Sequence, residues 1–301
     1  MIAGTAVRTP LVQLQVDAPA KIWLKLENLQ PIGSFKIRGA TNAIRQADRE
    51  QLARGVLTAS AGNMAQGVAW GARELGIPAT IVAPDHIPAT KRAAIERLGG
   101  RVVTVPVGEW LQAIMESGFP GEDGVFVHPV ADERVMAGNG TIGLELLEDL
   151  RDPDVVLIPW GGGGLTTGIA SAVKALRPET RVVTVEPETA APFSASVAAG
   201  EPREVEYRPS FVDGAGANML VPGMWDRARP LVDGADTASL DETAAAVRLL
   251  AERARVVAEG AGALALAAGL SGRYEGKVVC IVSGGNIDPP KLATILAGEV
   301  P

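Results

Sequence analysis

Short runs rich in valine and isoleucine alternate along this chain with longer, alanine-rich amphipathic stretches. Such alternation is typical of strand–helix–strand units around a mostly parallel sheet. The sequence therefore predicts an α/β fold throughout. The predicted strands cover residues 55–59, 79–83, 101–105, 155–159, 181–185 and 278–282, and the predicted helices include residues 64–75, 89–98, 165–176 and 241–254.

A run of four glycines, residues 161–164, stands between the predicted strand 155–159 and a helix that begins near Leu165. In that position free backbone N–H groups and the helix dipole converge on an anion. A dinucleotide fingerprint needs glycine at position 166 or 167, where threonines stand, and a P-loop needs a Gly-Lys-Ser/Thr sequence that does not follow. We therefore interpret the run as a phosphate-binding loop.

Lys36 lies in the segment PIGSFKIRGA, residues 31–40. A partly desolvated lysine loses its proton more readily and becomes a nucleophile that can hold a carbonyl cofactor covalently. By itself this pattern does not exclude an ordinary solvated lysine. Two further segments, SAGNMAQG (residues 60–67) and SGGN (residues 283–286), follow predicted strands, where ligands of open α/β sheets bind.

These four segments, in this order, resemble those of the fold-type-II pyridoxal-phosphate (PLP) enzymes, most closely the threonine/serine dehydratase and serine racemase branch. The resemblance covers nearly the whole chain. It implies a tryptophan synthase β-like fold, with two open, twisted, mostly parallel sheets flanked by helices. It also implies a larger PLP-binding domain of residues 1–50 and 135–301 and a smaller inserted domain of residues 51–134.

The resemblance implies a role for each segment. Lys36 is expected to bind PLP covalently and to be the catalytic residue, Asn63 to bond the ring oxygen and Ser283 to meet the pyridine nitrogen. The other implied cofactor-binding residues are Phe35, Gly161, Gly162, Gly163, Gly164, Leu165 and Glu259. The implied substrate-binding residues are Ser60, Ala61, Gly62, Asn63 and Met64, the last at a position where the family commonly has histidine.

Ala61 separates the two activities of this branch. Serine racemases use a serine at this position as a second proton carrier, and a methyl group cannot carry a proton. The sequence therefore favours a PLP-dependent ammonia-lyase (dehydratase) that removes water and ammonia from L-threonine or L-serine to give a 2-oxo acid. Ser283 agrees with this prediction, because a hydroxyl gives the ring nitrogen no full proton and so suits β-elimination better than transamination.

Several alternatives stay open. Residues 107–111, predicted to form a loop, are apolar and lack arginine, so phenylserine, 3-hydroxyaspartate or a hydroxyectoine-pathway intermediate are also candidate substrates. An amino-acid racemase is less favoured, as is a cysteine-synthase-like sulfhydrylase. A non-catalytic protein that binds PLP or another phosphorylated ligand, or a nucleotide-binding module, would keep the phosphate loop. By residue type alone, Asn63 is equally a helix cap and Glu259 equally a surface charge.

The net charge of -7 and the pI of about 5.1 argue against nucleic acid as a partner, and a small amino acid is expected instead. The single cysteine, Cys280, cannot form an internal disulfide and favours a reducing cytoplasm. No apolar run is long enough to predict a membrane span. From the relatives we expect a homodimer, and no C-terminal regulatory domain, because the chain ends soon after Ser283.

No metal site is predicted. Glu186 and Ala190 match two of the three cation-binding positions of some relatives, but the third falls on Pro192, which has no acidic side chain. His86 and His128 are the two histidines, and neither has the spacing of a metal ligand or of a catalytic triad, so both are expected to be structural or at the surface.

Overall fold

Two separate sheets carry the β-structure of the protein, in a computed structural model that describes residues 2–301. The chain divides into two compact units, and each unit contains one sheet. The first unit comprises the residues up to Val7 and Gln30–Asn139, and the second comprises Arg8–Leu29 and Gly140–Pro301.

The strands, in chain order, are β1 (Leu11–Gln13), β2 (Ala20–Leu26), β3 (Val56–Ala59), β4 (Ala79–Pro84), β5 (Arg101–Val105), β6 (Val125–Phe126), β7 (Val155–Pro159), β8 (Arg181–Pro187), β9 (Gly234–Ala238) and β10 (Gly276–Val282). The α-helices are α1 (Lys36–Gln46), α2 (Arg49–Leu52), α3 (Asn63–Leu75), α4 (Ala89–Arg97), α5 (Val107–Glu116), α6 (Glu133–Asp149), α7 (Gly164–Leu176), α8 (Pro192–Ala199), α9 (Met224–Ala228), α10 (Leu240–Leu249), α11 (Gly260–Gly269) and α12 (Pro289–Leu296).

The sheet of the first unit is parallel throughout, in the order β5-β4-β3-β6. The sheet of the second unit has the order β1-β2-β10-β7-β8-β9, and β1 pairs antiparallel with β2. Strands β3, β4 and β7 are buried at every residue, as expected of parallel strands covered on both faces. Because β7 and β10 are neighbours, the loops that follow them leave the same edge of their sheet.

Helix α11 is the central helix of the second unit. All ten of its residues are buried, and they are mostly alanine and glycine. A Cβ on Gly269 would lie 2.8 Å from the Cys280 Sγ, and a Cβ on Gly260 would lie 3.0 Å from the Val212 Cα. The small side chains of α11 therefore let it pack directly against strand β10 and the segment around residue 212.

A buried ion pair lies in strand β2 of the same unit. Lys25 is fully buried, and its Nζ donates to the Glu145 Oε2 at 2.6 Å and to the Thr9 carbonyl O at 2.7 Å. A buried ammonium group is tolerated when it is paired and hydrogen-bonded. These contacts explain how a lysine occupies a strand that lies inside the sheet.

The predicted α/β class and the two mostly parallel sheets are confirmed. Each predicted strand and helix is present with small shifts at its ends, except that the helix predicted over residues 241–254 ends at Leu249 and continues as a π-helical turn, Leu250–Ala254. The loop predicted after strand 101–105 is wrong: residues 107–116 form helix α5. Helix α5 packs Trp110, Ala113 and Ile114 against its own sheet, whereas Val107 and Leu111 are exposed.

The division into units differs from the predicted domain boundary in three stretches. The residues up to Val7, residues 30–50 and residues 135–139 belong to the first unit, whereas the prediction grouped them with the larger domain. The longest of these stretches contains helix α1. The reason is the packing of α1 on α3: Ala40, Ala43 and Ile44 share one hydrophobic cluster with Val68 and Ala72. The core that α1 completes is thus the core of the first unit.

Among the residues that the structure describes, no helix combines the length and the apolar character needed to cross a bilayer.

Candidate active site

Lys36 is the first residue of helix α1 in the first unit. Its side chain is half-buried, and its Nζ donates a hydrogen bond to the Pro129 carbonyl O at 2.8 Å. The same Nζ lies 5.2 Å from the centroid of the Phe35 ring. The amine is therefore partly desolvated and held in one place, which are the conditions for a lysine nucleophile.

The loop of residues 60–62 joins β3 to α3. The Ser60 N–H donates to the Val82 carbonyl O at 3.0 Å, and the Gly62 N–H donates to the Ser60 hydroxyl at 3.3 Å. Helix α3 begins at Asn63, and the N–H groups of a first helical turn attract a carboxylate. The Met64 side chain is buried in the core of the first unit, so this residue can offer a substrate only its backbone.

Lys36 and this loop are brought together by close packing of α1 on α3. A Cβ on Gly67 would lie 3.1 Å from the Lys36 carbonyl O and 3.1 Å from the Ala40 Cβ. Glycine at position 67 thus lets the two helix backbones approach. The lysine and the predicted substrate loop of residues 60–64 thus lie at the starts of two helices that pack closely on each other.

The tetraglycine loop of the second unit follows strand β7 and leads into α7, which begins at Gly164. Gly163 has φ +94, and a Cβ there would lie 2.5 Å from the Trp160 Cη2. Position 163 therefore requires glycine both for its left-handed backbone and for lack of space. Leu165 follows in the first turn. Its side chain is buried, so this residue can contact a ligand only through its backbone.

Two buried hydroxyls lie in the first turn of α7. The Oγ1 atoms of Thr166 and Thr167 have no hydrogen-bond partner within residues 2–301. Buried donors are rarely left unpaired, so each points to a missing acceptor. An oxyanion at the N-terminus of α7 would add acceptors at a helix end whose dipole favours negative charge. The residues present therefore fit a phosphate group.

Aromatic rings support this loop from within the second unit. The Trp160 ring stacks on the Phe193 ring, with 3.9 Å between centroids and 26° between planes, and Phe193 contacts Trp225 at 5.8 Å. This cluster was not predicted, because its three residues are far apart in sequence. The available signal was the position of Trp160, directly between a buried strand and the glycine run.

Ser283 and Glu259 meet at the end of strand β10. The Ser283 hydroxyl is buried and reaches the Ala261 carbonyl O only at 3.5 Å, which is a weak hydrogen bond. The Glu259 N–H donates to the Gly284 carbonyl O at 3.0 Å, and a Cβ on Gly262 would lie 2.2 Å from that oxygen. Glu259 is 6% exposed, so it is not the surface charge that its residue type allowed.

Gly214 connects this cluster with the tetraglycine loop. A Cβ on Gly161 would lie 3.2 Å from the Gly214 carbonyl O, and a Cβ on Gly214 would lie 3.6 Å from the Glu259 Oε1. The second unit thus brings together three predicted elements, the glycine loop, Glu259 and Ser283. The contribution of residue 214 was missed, although two glycines in the sequence GAG, residues 214–216, were a signal for close backbone approach.

Glu186, one of the residues weighed as a cation ligand, caps helix α8. Its carboxylate accepts hydrogen bonds from the Phe193 N–H at 3.0 Å, the Ser194 N–H at 2.7 Å and the Ser194 hydroxyl at 2.7 Å. Burial outweighs these bonds and raises the pKa of Glu186 from 4.5 to about 7. Within residues 2–301 there is no group of three or more His, Cys, Asp or Glu side chains suited to a metal ion.

This pKa predicts a pH-dependent stability. A carboxyl whose pKa is higher in the folded state stabilises the fold fully below pH 4.5, and that contribution is lost as the pH rises through about 7. Between pH 4.5 and 8, the free energy of unfolding of the wild type should therefore fall by about 3 kcal/mol relative to Glu186→Gln, which does not titrate. Urea denaturation of both proteins across this range measures the difference. The exposed Glu179→Gln is the control, and a difference that stays constant with pH contradicts the prediction.

A half-buried amine at a helix start in the first unit, and helix N-termini that follow parallel strands in each unit, are typical of α/β enzymes that bind a phosphorylated carbonyl cofactor. The family model of pyridoxal-phosphate dependent enzymes matches residues 2–284, so the chain belongs to this family. The predicted cofactor, PLP, is thereby confirmed.

Relatives agree with this assignment. The chain is 44% identical over 273 residues to the L-threonine ammonia-lyase of Thermotoga maritima, with 89% of this chain and 68% of that protein covered. Threonine deaminase isoform 2 from Solanum lycopersicum, in its processed form, is similar in structure, with a TM-score of 0.90, 31% identity and coverage of 99% and 84%. Maize serine racemase is similar with a TM-score of 0.89, 34% identity and coverage of 98% and 93%.

Proposed function

We propose that this protein is a PLP-dependent ammonia-lyase that converts a β-hydroxy amino acid, L-threonine or L-serine, into a 2-oxo acid and ammonia. The observation that carries the proposal is the alanine at position 61, in the loop that leads into α3, the helix that packs on the helix of Lys36. This loop offers a carboxylate site and no proton carrier at residue 61. The names of the threonine ammonia-lyase and threonine deaminase relatives support the same reaction.

The proposed cofactor-binding residues have separate roles. Lys36 is proposed to bind PLP covalently, Asn63 to hydrogen-bond the ring oxygen and Ser283 to meet the pyridine nitrogen. Phe35 and Glu259 are proposed to bind the cofactor as well, Glu259 near the ring. The proposed phosphate-binding residues are Gly161, Gly162, Gly163, Gly164 and Leu165, and the unpaired hydroxyls of the next two residues support this choice. When bound, PLP supplies an electron sink for the electron pair left by the Cα proton.

Lys36 is proposed to be the general base. Its Nζ removes the Cα proton, and the Pro129 carbonyl, which accepts one N–H of the amine at 2.8 Å, orients it for that transfer. The Cβ–O bond then breaks, and the hydroxyl group leaves with a proton as water. The released enamino acid takes up water and loses ammonia, so the net products are a 2-oxo acid and ammonia.

The loop of residues 60–64 is proposed to bind the substrate carboxylate. Backbone N–H groups at the start of α3 and the Ser60 hydroxyl supply the donors. Ser283 is proposed to hydrogen-bond the cofactor without transferring a full proton, because a hydroxyl is a weak acid. A cofactor ring that receives no full proton is a weaker electron sink, and it favours a reaction whose leaving group departs quickly, as in elimination.

The proposal is tested by measuring 2-oxo acid release from a panel of substrates with the PLP-loaded protein. The panel contains L-threonine, L-serine, phenylserine and 3-hydroxyaspartate, and chiral chromatography of serine detects racemisation in the same samples. We expect 2-oxo acid from threonine or serine and no D-serine above background. Turnover of none of the four amino acids would contradict the dehydratase function.

Ala61→Ser is expected to add racemase activity. A hydroxyl at this position supplies the proton carrier that the methyl group lacks, so D-serine should form from L-serine at a rate about tenfold or more above the wild type. Ala61→Val is the matched control, since it changes the size of the side chain and adds no proton carrier. Equal D-serine formation by wild type, Ala61→Ser and Ala61→Val would show that residue 61 does not control the fate of the Cα proton.

A further inference from the structure

We propose that His128 is a positioning residue for Lys36, because its Nδ1 shapes the turn whose Pro129 carbonyl holds the lysine amine. The inference rests on the proposed role of Lys36 as the cofactor lysine and base. All of the groups involved lie in the first unit.

His128 organises this turn through one ring nitrogen. Its Nδ1 accepts hydrogen bonds from the Val130 N–H at 3.0 Å and from the Ala131 N–H at 2.8 Å. An Nδ1 that accepts two bonds carries no proton, so the imidazole is neutral with its proton on Nε2. The side chain therefore acts as the cap of a turn of the backbone, from residue 128 to residue 131.

Both ends of the turn are fixed by other contacts. Before it, the Val127 N–H donates to the Leu57 carbonyl O at 2.8 Å, and the Thr58 hydroxyl donates to the Val127 carbonyl O at 2.8 Å. After it, the Asp132 carboxylate accepts from the Arg134 N–H at 2.8 Å and from its guanidinium at 2.7 Å. The path between these anchors contains Pro129, which has no N–H, so the two bonds to His128 determine where its carbonyl points.

Burial is the main reason that the His128 ring stays neutral. Burial lowers the pKa of His128 below its ordinary value of 6.5, the Lys36 charge lowers it further, and Asp132 acts in the opposite direction. Protonation of Nδ1 would remove the acceptor of the two N–H groups and place a second positive charge near the amine. The neutral ring is thus the form that keeps the Pro129 carbonyl aimed at Lys36.

Two substitutions of His128 distinguish the effect of its hydrogen-bond acceptor from the effect of the imidazole ring. In His128→Asn the Oδ1 stands one bond from Cγ, as the Nδ1 does, and can accept from the same N–H groups without titrating. In His128→Gln the side-chain oxygen is one bond farther out and does not reach them. The exposed His86→Asn is the matched control, because His86 is the other histidine of the chain.

We expect His128→Gln to lower kcat about 10- to 100-fold, with KM for the amino acid changed less than about threefold. His128→Asn is expected to restore kcat to within about threefold of the wild type and to shift the acidic limb of the kcat profile to lower pH. Equal loss in both variants, or no loss in His128→Gln, would overturn the proposal.

A second readout uses the protein without cofactor. Competitive acetylation, read by mass spectrometry, gives the reactivity of Lys36 relative to the exposed Lys21. We expect Lys36 to become about threefold or more reactive in His128→Gln and to be unchanged in His128→Asn and His86→Asn. If His128→Gln does not fold, His128→Ala takes its place, since it also lacks the acceptor. Unchanged Lys36 reactivity in both cases would overturn the proposal.

The two proposals fail in different ways. A wild type that forms no 2-oxo acid and no lysine-bound PLP contradicts the proposed function, whereas the acetylation result still decides the role of His128. Long-range proton–nitrogen NMR of the same cofactor-free protein gives the tautomer of each ring, and His86→Asn assigns the signals. A protonated Nδ1 on neutral His128 would contradict the proposed turn.

Discussion

Replacing Lys36 by alanine is expected to abolish covalent PLP binding and to lower kcat for amino acid elimination by a factor of about 10³ or more. The loss is large because one side chain has two proposed roles, cofactor attachment and proton removal, and general bases alone contribute about 10² to 10⁴. Absorbance of the purified protein shows whether lysine-bound PLP is present. Borohydride reduction followed by peptide mass spectrometry identifies the modified residue.

The control for this experiment is Lys21→Ala, which removes an exposed lysine of strand β2. It should keep both the absorbance band and kcat. Lys36→Ala should remain folded, because a half-buried side chain at the start of α1 contributes little to the core. An unchanged band in Lys36→Ala, or reduced PLP found on another lysine, would contradict the assignment.

Gly163→Ala is expected to lower PLP affinity about 100-fold or more. The new Cβ would lie 2.5 Å from the Trp160 Cη2, and this ring is fixed by its stack on Phe193, so the loop must move. The left-handed backbone at φ +94 adds a cost of about 1 kcal/mol for any residue with a Cβ. Titration of the cofactor-free protein with PLP measures affinity, and urea denaturation measures stability.

Gly200→Ala isolates the backbone part of this effect. Gly200 also has a positive φ, +76, but a Cβ there would meet nothing within 4 Å. We expect this variant to be about 1 kcal/mol less stable and to bind PLP with unchanged affinity. Equal PLP binding by Gly163→Ala and Gly200→Ala would show that the tetraglycine loop does not hold the phosphate.

The parts of the fold that sequence predicts best are those with a clear local pattern, either a short apolar run or a helical period. The strands from β3 to β5 and the strands β7, β8 and β10 are valine- and isoleucine-rich, and all were predicted. Strand β2 was not, because Lys21 and Lys25 interrupt its apolar run, and only the contacts of Lys25 with Glu145 and Thr9 explain its burial. Helix α11 was missed because a helix that is buried on all sides has no polar face to give a helical period.

The candidate site likewise contains residues that the sequence predicts and residues that only the folded structure reveals. Lys36, Asn63, the glycine run and Ser283 stand in short segments with their own local chemistry, and the structure places each of them at a helix start or a strand end. Trp160, Gly214 and His128 act through neighbours distant in sequence or through a turn. A stack, a close backbone approach and a ring nitrogen that caps two N–H groups are visible only when the chain is folded.

Helix α11 links the stability of the second unit to two of its proposed cofactor-binding residues, Ser283 and Glu259. Its residues contact the sheet on one side and the loop of Ser283 on another, and a Cβ on Gly262 would meet the Gly284 oxygen at 2.2 Å. Larger side chains, the usual means of improving a core, would therefore displace Glu259 and Ser283. Thermostabilised variants of this enzyme should be sought outside α11, since within it selection for a tighter core and selection for activity oppose each other.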